Sequence, residues 1–222
     1  MTLIICVLEI VYLFLWMGSG NKLFFFIALG IFLWWIYEMR REARLRQEKI
    51  EQETIQKLEK IPHNRRAVSD DCLSAILLDE LSKTFYYLER DDVESNFKKK
   101  SYSFDEIYEC AIAVNDSICS LISKGGTHGW SIINHDVQFY NEEDFKEEDT
   151  IQKLSLKIIV DDLSKPLIEF VFFEDKKGIE KDSEEYEEIW QECKNWHQKI
   201  SLIIKRGSRE MEKIAVHNWV HN

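Results

Sequence analysis

Two apolar runs joined by a short polar link open the chain, and they constrain it more than any other feature. Residues 1–17 (MTLIICVLEIVYLFLWM) hold no charge except Glu9. Residues 23–39 (LFFFIALGIFLWWIYEM) hold none before Glu38. Between them, Gly18-Ser19-Gly20-Asn21-Lys22 has the composition of a turn. At about 1.5 Å per residue, each run makes a helix of about 25 Å. That lies at the short end of the range that spans a hydrocarbon core. Only hydrogen-bonded helices and closed barrels cross lipid. The expectation is an α-helical transmembrane hairpin over residues 1–39. No basic start or small-residue cleavage site marks a secretory signal.

Orientation follows from the flanks. Arg40, Arg41, Arg44 and Arg46 come directly after the second run, and Trp34, Trp35 and Tyr37 lie just before them. An aromatic belt followed by arginines reads as a cytoplasmic flank. The expected location is the inner membrane, with two spans, lipid as a partner and both termini cytoplasmic. Glu9 falls mid-span, where an ionised carboxylate is costly. Tyr12 and Trp16 share its helix face. Glu9, Tyr12 and Trp16 are therefore candidate pore-lining or oligomer-contact residues. The plainer reading is a neutral Glu9 hydrogen-bonded within the hairpin.

Residues 40–61 contain no Gly or Pro and are rich in strong helix formers. They read as a charged connecting helix, either a solvated stalk or a self-association helix. Pro62 ends it, and residues 62–71 read as a linker.

From Cys72 the pattern turns strand-like. Ser74 to Leu78 and Thr84 to Leu88 flank a turn at Asp79-Glu80 and read as a hairpin. Arg90 to Lys100 is polar and reads as a loop. Strand-like segments follow over residues 108–114 and 118–122. Leu154 to Val160 and Leu167 to Phe173 read as a longer hairpin. A helix follows, with Asp182 as N-cap and Glu185 completing a capping box. Tyr186, Ile189, Trp190, Cys193, Trp196, Ile200, Ile203 and Ile204 recur at helical spacing. Gly207 reads as its stop, and residues 208–222 as a tail. The fold class is an α+β cytoplasmic domain over residues 72–207, an antiparallel sheet or barrel capped by a C-terminal helix.

Charge excludes one class of partner. Residues 67–222 carry 33 of the 40 acidic residues but only 19 of the 29 basic ones, a balance of −14. Long nucleic acid is a poor fit, since its phosphates need neutralising Lys and Arg. The main basic clusters are Lys98, Lys99 and Lys100, with Arg65 and Arg66. Lys124, Gly125, Gly126 and His128 sit in KGGTHG, where glycines let backbone N–H groups approach an anion. The segment lacks P-loop spacing. Lys98, Lys99 and Lys100 with Lys124, Gly125, Gly126 and His128 are the candidate ligand-binding set, with a cyclic nucleotide as a candidate ligand. His217 and His221 share a helical spacing but lack the Glu of a zinc protease, and no metal site is expected. Five cysteines without a CxxC read as buried thiols. No catalytic constellation is legible, and no cofactor is expected.

SYSFDEI (residues 101–107), KLSLKIIVDDLSKPLIEFVFF and KDSEEYEEIWQECKNWHQKISLIIKR together resemble a group of mostly uncharacterised bacterial and phage proteins. In that group a small pleckstrin-homology-like sheet is capped by one helix. The resemblance covers residues 72–206 and implies a PH-like fold without implying catalytic residues. The overall layout is similar to two-span effectors of bacterial antiviral defence that respond to cyclic nucleotides or oligonucleotides. The layout implies a membrane-anchored, non-enzymatic effector: a homo-oligomer whose cytosolic domain senses a ligand and assembles the hairpins to perturb the membrane. The alternative is a passive tethered adaptor that recruits a protein partner.

Overall fold

The computed structural model describes residues 22–124, 133 and 150–220. The chain divides into two compact units, residues 1–60 and 61–222.

In the first unit the described residues form one helix, α1 (Lys22–Leu58). It runs without a break through the expected boundary between residues 39 and 40, because nothing there breaks a helix. Among the described residues no helix is long and apolar enough to cross a membrane. The apolar part of α1 is closed by Lys22 on one side and by Glu38, Arg40 and Arg41 on the other. That is short of the roughly 20 apolar residues that a span needs. The expected transmembrane hairpin is overturned. So are the membrane-protein reading and the placement as two spans in the inner membrane. The first apolar run, with Glu9, Tyr12 and Trp16, lies outside the described residues.

The arginines expected to flank a membrane are exposed residues of a continuous helix. Arg41 pairs with Glu38 at 3.4 Å and Arg46 with Glu42 at 3.9 Å, both within one turn. Phe26, Leu33, Trp34 and Tyr37 are each more than half exposed.

The second unit contains two antiparallel sheets of four strands. The first is a meander of β1 (Arg65–Val68), β2 (Ser74–Asp79), β3 (Thr84–Glu89) and β4 (Lys98–Ser103). The second contains β5 (Ile107–Val114), β6 (Ser117–Ser123), β7 (Thr150–Val160) and β8 (Leu167–Glu180), in the order β6-β5-β7-β8. The single PH-like sheet or barrel expected from the sequence is thus replaced by two sheets, and the second is not a simple meander. The reason lies in β5. Cys110, Ile112 and Val114 enter the main core, while Ala111 joins a small cluster with Ile118, Ile133 and Ile159. A strand buried on both faces belongs between two neighbours rather than at an edge.

Two edge strands differ from the sequence reading. Arg65–Val68 reads as linker and Lys98–Ser103 partly as loop, yet both pair in full register. The turn between β5 and β6 has Asn115 and Asp116 at φ 47° and 64°, the left-handed pair that suits a tight hairpin. Asn115 Oδ1 also accepts the N–H groups of Gln152 and Lys153, at 2.9 and 3.1 Å.

The second helix, α2 (Glu184–Val220), packs mainly on β5, β7 and β8. Its cap is Ser183 rather than Asp182: the Ser183 hydroxyl accepts the Tyr186 N–H at 3.2 Å. Tyr186, Cys193, Trp196, Ile200 and Ile204 are buried against the sheet. Gly207 does not stop the helix, which continues to Val220.

Candidate functional site

The β2–β3 turn begins the site. Asp79 Oδ1 accepts the N–H groups of Leu81 and Ser82 at 3.0 and 3.3 Å, and Oδ2 accepts the Ser82 hydroxyl at 2.7 Å. The Ser82 hydroxyl bond is the main cause holding the Asp79 carboxyl below its ordinary pKa. The folded turn puts Lys83 at φ 52°, where its carbonyl accepts the Phe104 N–H at 3.0 Å.

Phe104 opens a 3₁₀ turn (Phe104–Glu106). The Ser103 N–H donates to Glu106 Oε2 at 2.6 Å and fixes its start. The Lys124 ammonium donates to the Asp105 carbonyl at 2.6 Å and lies 5.1 Å from the Tyr108 ring centroid. α2 closes the far side. A Cβ on Gly207 would meet the Lys124 Cε at 3.5 Å and Asp105 Oδ1 at 3.8 Å. The Ser208 hydroxyl donates to the Lys124 carbonyl at 2.9 Å. The distances at Gly207 are those of ordinary contact, so the 3₁₀ turn and Lys124 pack beside the helix without requiring a glycine there.

These elements enclose a groove of about 410 Å³. Leu78, Phe104, Leu202 and Ile203 give it apolar walls, and Lys83, Lys199 and Arg206 line it with positive charge. Glu80 and Asp105 supply carboxylates. Lys83 and Arg206 have no ion-pair partner among the described residues. Lys199 Nζ lies 5.9 Å from the Trp196 ring centroid. Cations beside apolar wall suit an anion that carries a flat or apolar portion.

The residues singled out from sequence lie elsewhere or are engaged. Lys98 pairs with Asp91 at 2.7 Å, and Lys99 lies 5.4 Å from the Tyr86 ring centroid. Lys100 pairs with Asp162 Oδ2 at 2.8 Å, and the Tyr102 hydroxyl donates to the same oxygen at 3.2 Å. Asp162 Oδ1 accepts the Ser164 N–H at 2.9 Å. Lys165 on the same turn donates to Glu89 Oε2 and lies 5.3 Å from the Tyr87 ring centroid. Lys100 and Lys165 thus clasp the β7–β8 turn to the first sheet. The Lys100 bond is the main cause that drives the Asp162 carboxyl far below its ordinary pKa, and burial lifts the Tyr102 hydroxyl to about 12.

Among the described residues of the candidate set, only Lys124 borders the groove, through Asp105 and Gly207. Gly125, Gly126 and His128 lie outside the described residues, as do the side chains of His217 and His221. Among the described residues no three His, Cys, Asp or Glu side chains gather as metal ligands.

Lys83, Lys199 and Arg206 escape the sequence reading. Lys199 and Arg206 are seven residues apart, so they flank the apolar stripe of α2 on one side. That spacing was visible, but the stripe reads first as core packing. Nothing in the sequence brings the 79–84 turn to that helix. No protein-family model, curated protein or solved structure matches this chain.

Proposed function

We propose that this protein is a non-enzymatic sensor whose second unit binds a small nucleotide-type anion, a cyclic nucleotide or short oligonucleotide, in the groove between the 79–84 turn, the 3₁₀ turn and α2. One observation carries the reading: in a strongly acidic unit, Lys83 and Arg206 line a groove without ion-pair partners among the described residues. Arg recognises phosphate through paired N–H donors and Lys through a compact charge. Phe104, Leu202 and Ile203 offer apolar surface for a base, and Glu80 and Asp105 offer acceptors for amino or hydroxyl groups. The volume lies within the range of about 300–1,000 Å³ for small-molecule sites. A ligand there would tie three separate chain segments together, and ordering of this kind is how binding biases assembly.

Calorimetric titration of the full chain with cyclic mono-, di- and trinucleotides tests this, with light scattering to follow self-association. The expected result is saturable binding of one ligand class, weakened about tenfold or more by Arg206→Ala or Lys83→Ala. Heatless titrations with the whole panel at millimolar concentration would overturn it. A protein partner captured by the wild-type chain irrespective of nucleotide would favour the adaptor reading instead.

A further inference from the structure

A second groove lies across Leu202 from the first, and it does not depend on the reading of the first. Its volume is about 500 Å³, and it runs between β6 and α2, lined by Ser120, Leu121, Ile122, His197, Gln198, Ser201, Leu202 and Lys205. His197 Nε2 and Ser201 Oγ are both buried from solvent, and neither has a hydrogen-bond partner among the described residues. Buried polar atoms in folded proteins are overwhelmingly paired, so two unpaired ones in one groove mark a missing partner.

The spacing makes the pair specific. His197, Ser201 and Lys205 lie at i, i+4 and i+8 on α2, one above another on a single helix face. Leu121, Ile122 and Leu202 give the groove apolar wall. Burial holds the His197 imidazole below its ordinary pKa, partly offset by the backbone carbonyl of Cys110. The ring nitrogen that donates to that carbonyl is Nδ1, because Nε2 has no partner, so the neutral ring presents a bare nitrogen at Nε2. A ligand hydroxyl can donate to it. At Ser201 a hydroxyl can donate or accept. The lysine at the end of the row adds a fixed positive charge, about 12 Å along the axis from His197 at the helical rise. Long side chains lean toward the helix N-terminus, which shortens that reach.

We propose that this groove is a binding site for a hydroxylated phosphate ester, with sugar hydroxyls on His197 Nε2 and Ser201 Oγ and the phosphate toward Lys205. The shared chemistry occurs both in free sugar phosphates and in the ribose-phosphate part of nucleotides, and the probes separate the two. NMR of the ¹⁵N-labelled full chain follows the His197 ring nitrogens while ribose 5-phosphate, adenosine monophosphate and inorganic phosphate are added separately. The expected result is a saturable shift at His197 with ribose 5-phosphate. Ser201→Ala and Lys205→Gln should each weaken it about tenfold, the size of one polar contact. Arg206→Ala, in the other groove, should leave it unchanged.

A stronger response to adenosine monophosphate than to ribose 5-phosphate would assign the site to nucleotides and support the same contacts. Three outcomes would overturn the proposal. One is no shift with any probe at millimolar concentration. Another is an equal response to inorganic phosphate, which would leave the hydroxyl contacts without a role. The third is an undiminished response in Ser201→Ala.

Discussion

The two helices are both 37 residues long, yet they meet opposite fates. In α1 the apolar residues are bunched at one end and occupy all sides, so Phe26, Leu33, Trp34 and Tyr37 remain more than half exposed. In α2 the apolar residues are spread at intervals of three and four. Cys193, Trp196, Ile200 and Ile204 are each no more than 3% exposed. Equal length gives one helix that leaves these large apolar side chains exposed, burying Thr54 and Leu58 only near its end, and one that closes a core. The lesson is that the spacing of apolar residues, more than their number, decides whether a helix docks.

The sharpest way to break this comparison is to truncate matching tryptophans. Trp196→Ala should cost about 3–5 kcal/mol, the range for a buried aromatic, read as a lowered urea midpoint of the second unit. Trp34→Ala should change the unfolding free energy of the full chain by less than about 0.5 kcal/mol, as exposed substitutions usually do. Equal effects would end the contrast. Next in size, Ile200→Ala should cost about 2–4 kcal/mol, whereas Leu33→Ala should be close to neutral in the same measurement. A third and smaller effect concerns the start of α2. Ser183→Ala removes the acceptor for the Tyr186 N–H and should cost about 1 kcal/mol, visible as a lower thermal midpoint. Ser183→Asp should restore it.

How the two units use charge extends the comparison. The pairs of α1, Arg41–Glu38 and Arg46–Glu42, are exposed and lie within a turn. Pairs of that kind contribute little. Lys100–Asp162, in the second unit, instead joins residues far apart in sequence. Bonding lowers the folded pKa of Asp162, chiefly through Lys100. Its contribution is therefore present above the ordinary carboxylate pKa of about 3.9. It is lost as pH falls through the lower folded value. Asp162→Asn should lower stability at neutral pH and flatten the acid limb of a stability-versus-pH curve below about pH 4. Glu42→Gln in α1 should leave that curve unchanged. An acid limb of the same slope in Asp162→Asn would show that the clasp is not what acid releases.

Much of the second unit was legible. Ser74–Asp79 with Thr84–Glu89, and Thr150–Val160 with Leu167–Glu180, carry β-branched and aromatic runs around a turn, and they pair as such. The helix stripe was equally plain. β1 and β4 were missed because they are edge strands. Arg65, Arg66, Lys98 and Lys99 expose their side chains, and charge at an edge hides strand character while blocking unwanted pairing. Gly207 was misread because a glycine near a helix end usually marks a stop. Here the helix runs on through it, and a Cβ would meet Lys124 and Asp105 only at ordinary contact distance. The apolar run over residues 23–39 was misread because composition alone suggested a span, whereas α1 continues from Lys22 into its charged half without a boundary.

The sequence by itself determined the local elements: where chain turns, which stripe of α2 is buried, and that residues 67–222 carry excess negative charge. These follow from side-chain period and composition, which are properties of neighbouring residues. The tertiary structure alone decided the order β6-β5-β7-β8, the use of Lys100 as a clasp, and the meeting of Lys83, Lys199 and Arg206 at one groove. Lys83 stands on a turn and Arg206 on a helix more than a hundred residues later. No local pattern links them. Only the burial of β5 and the docking of α2 bring such distant residues to one place.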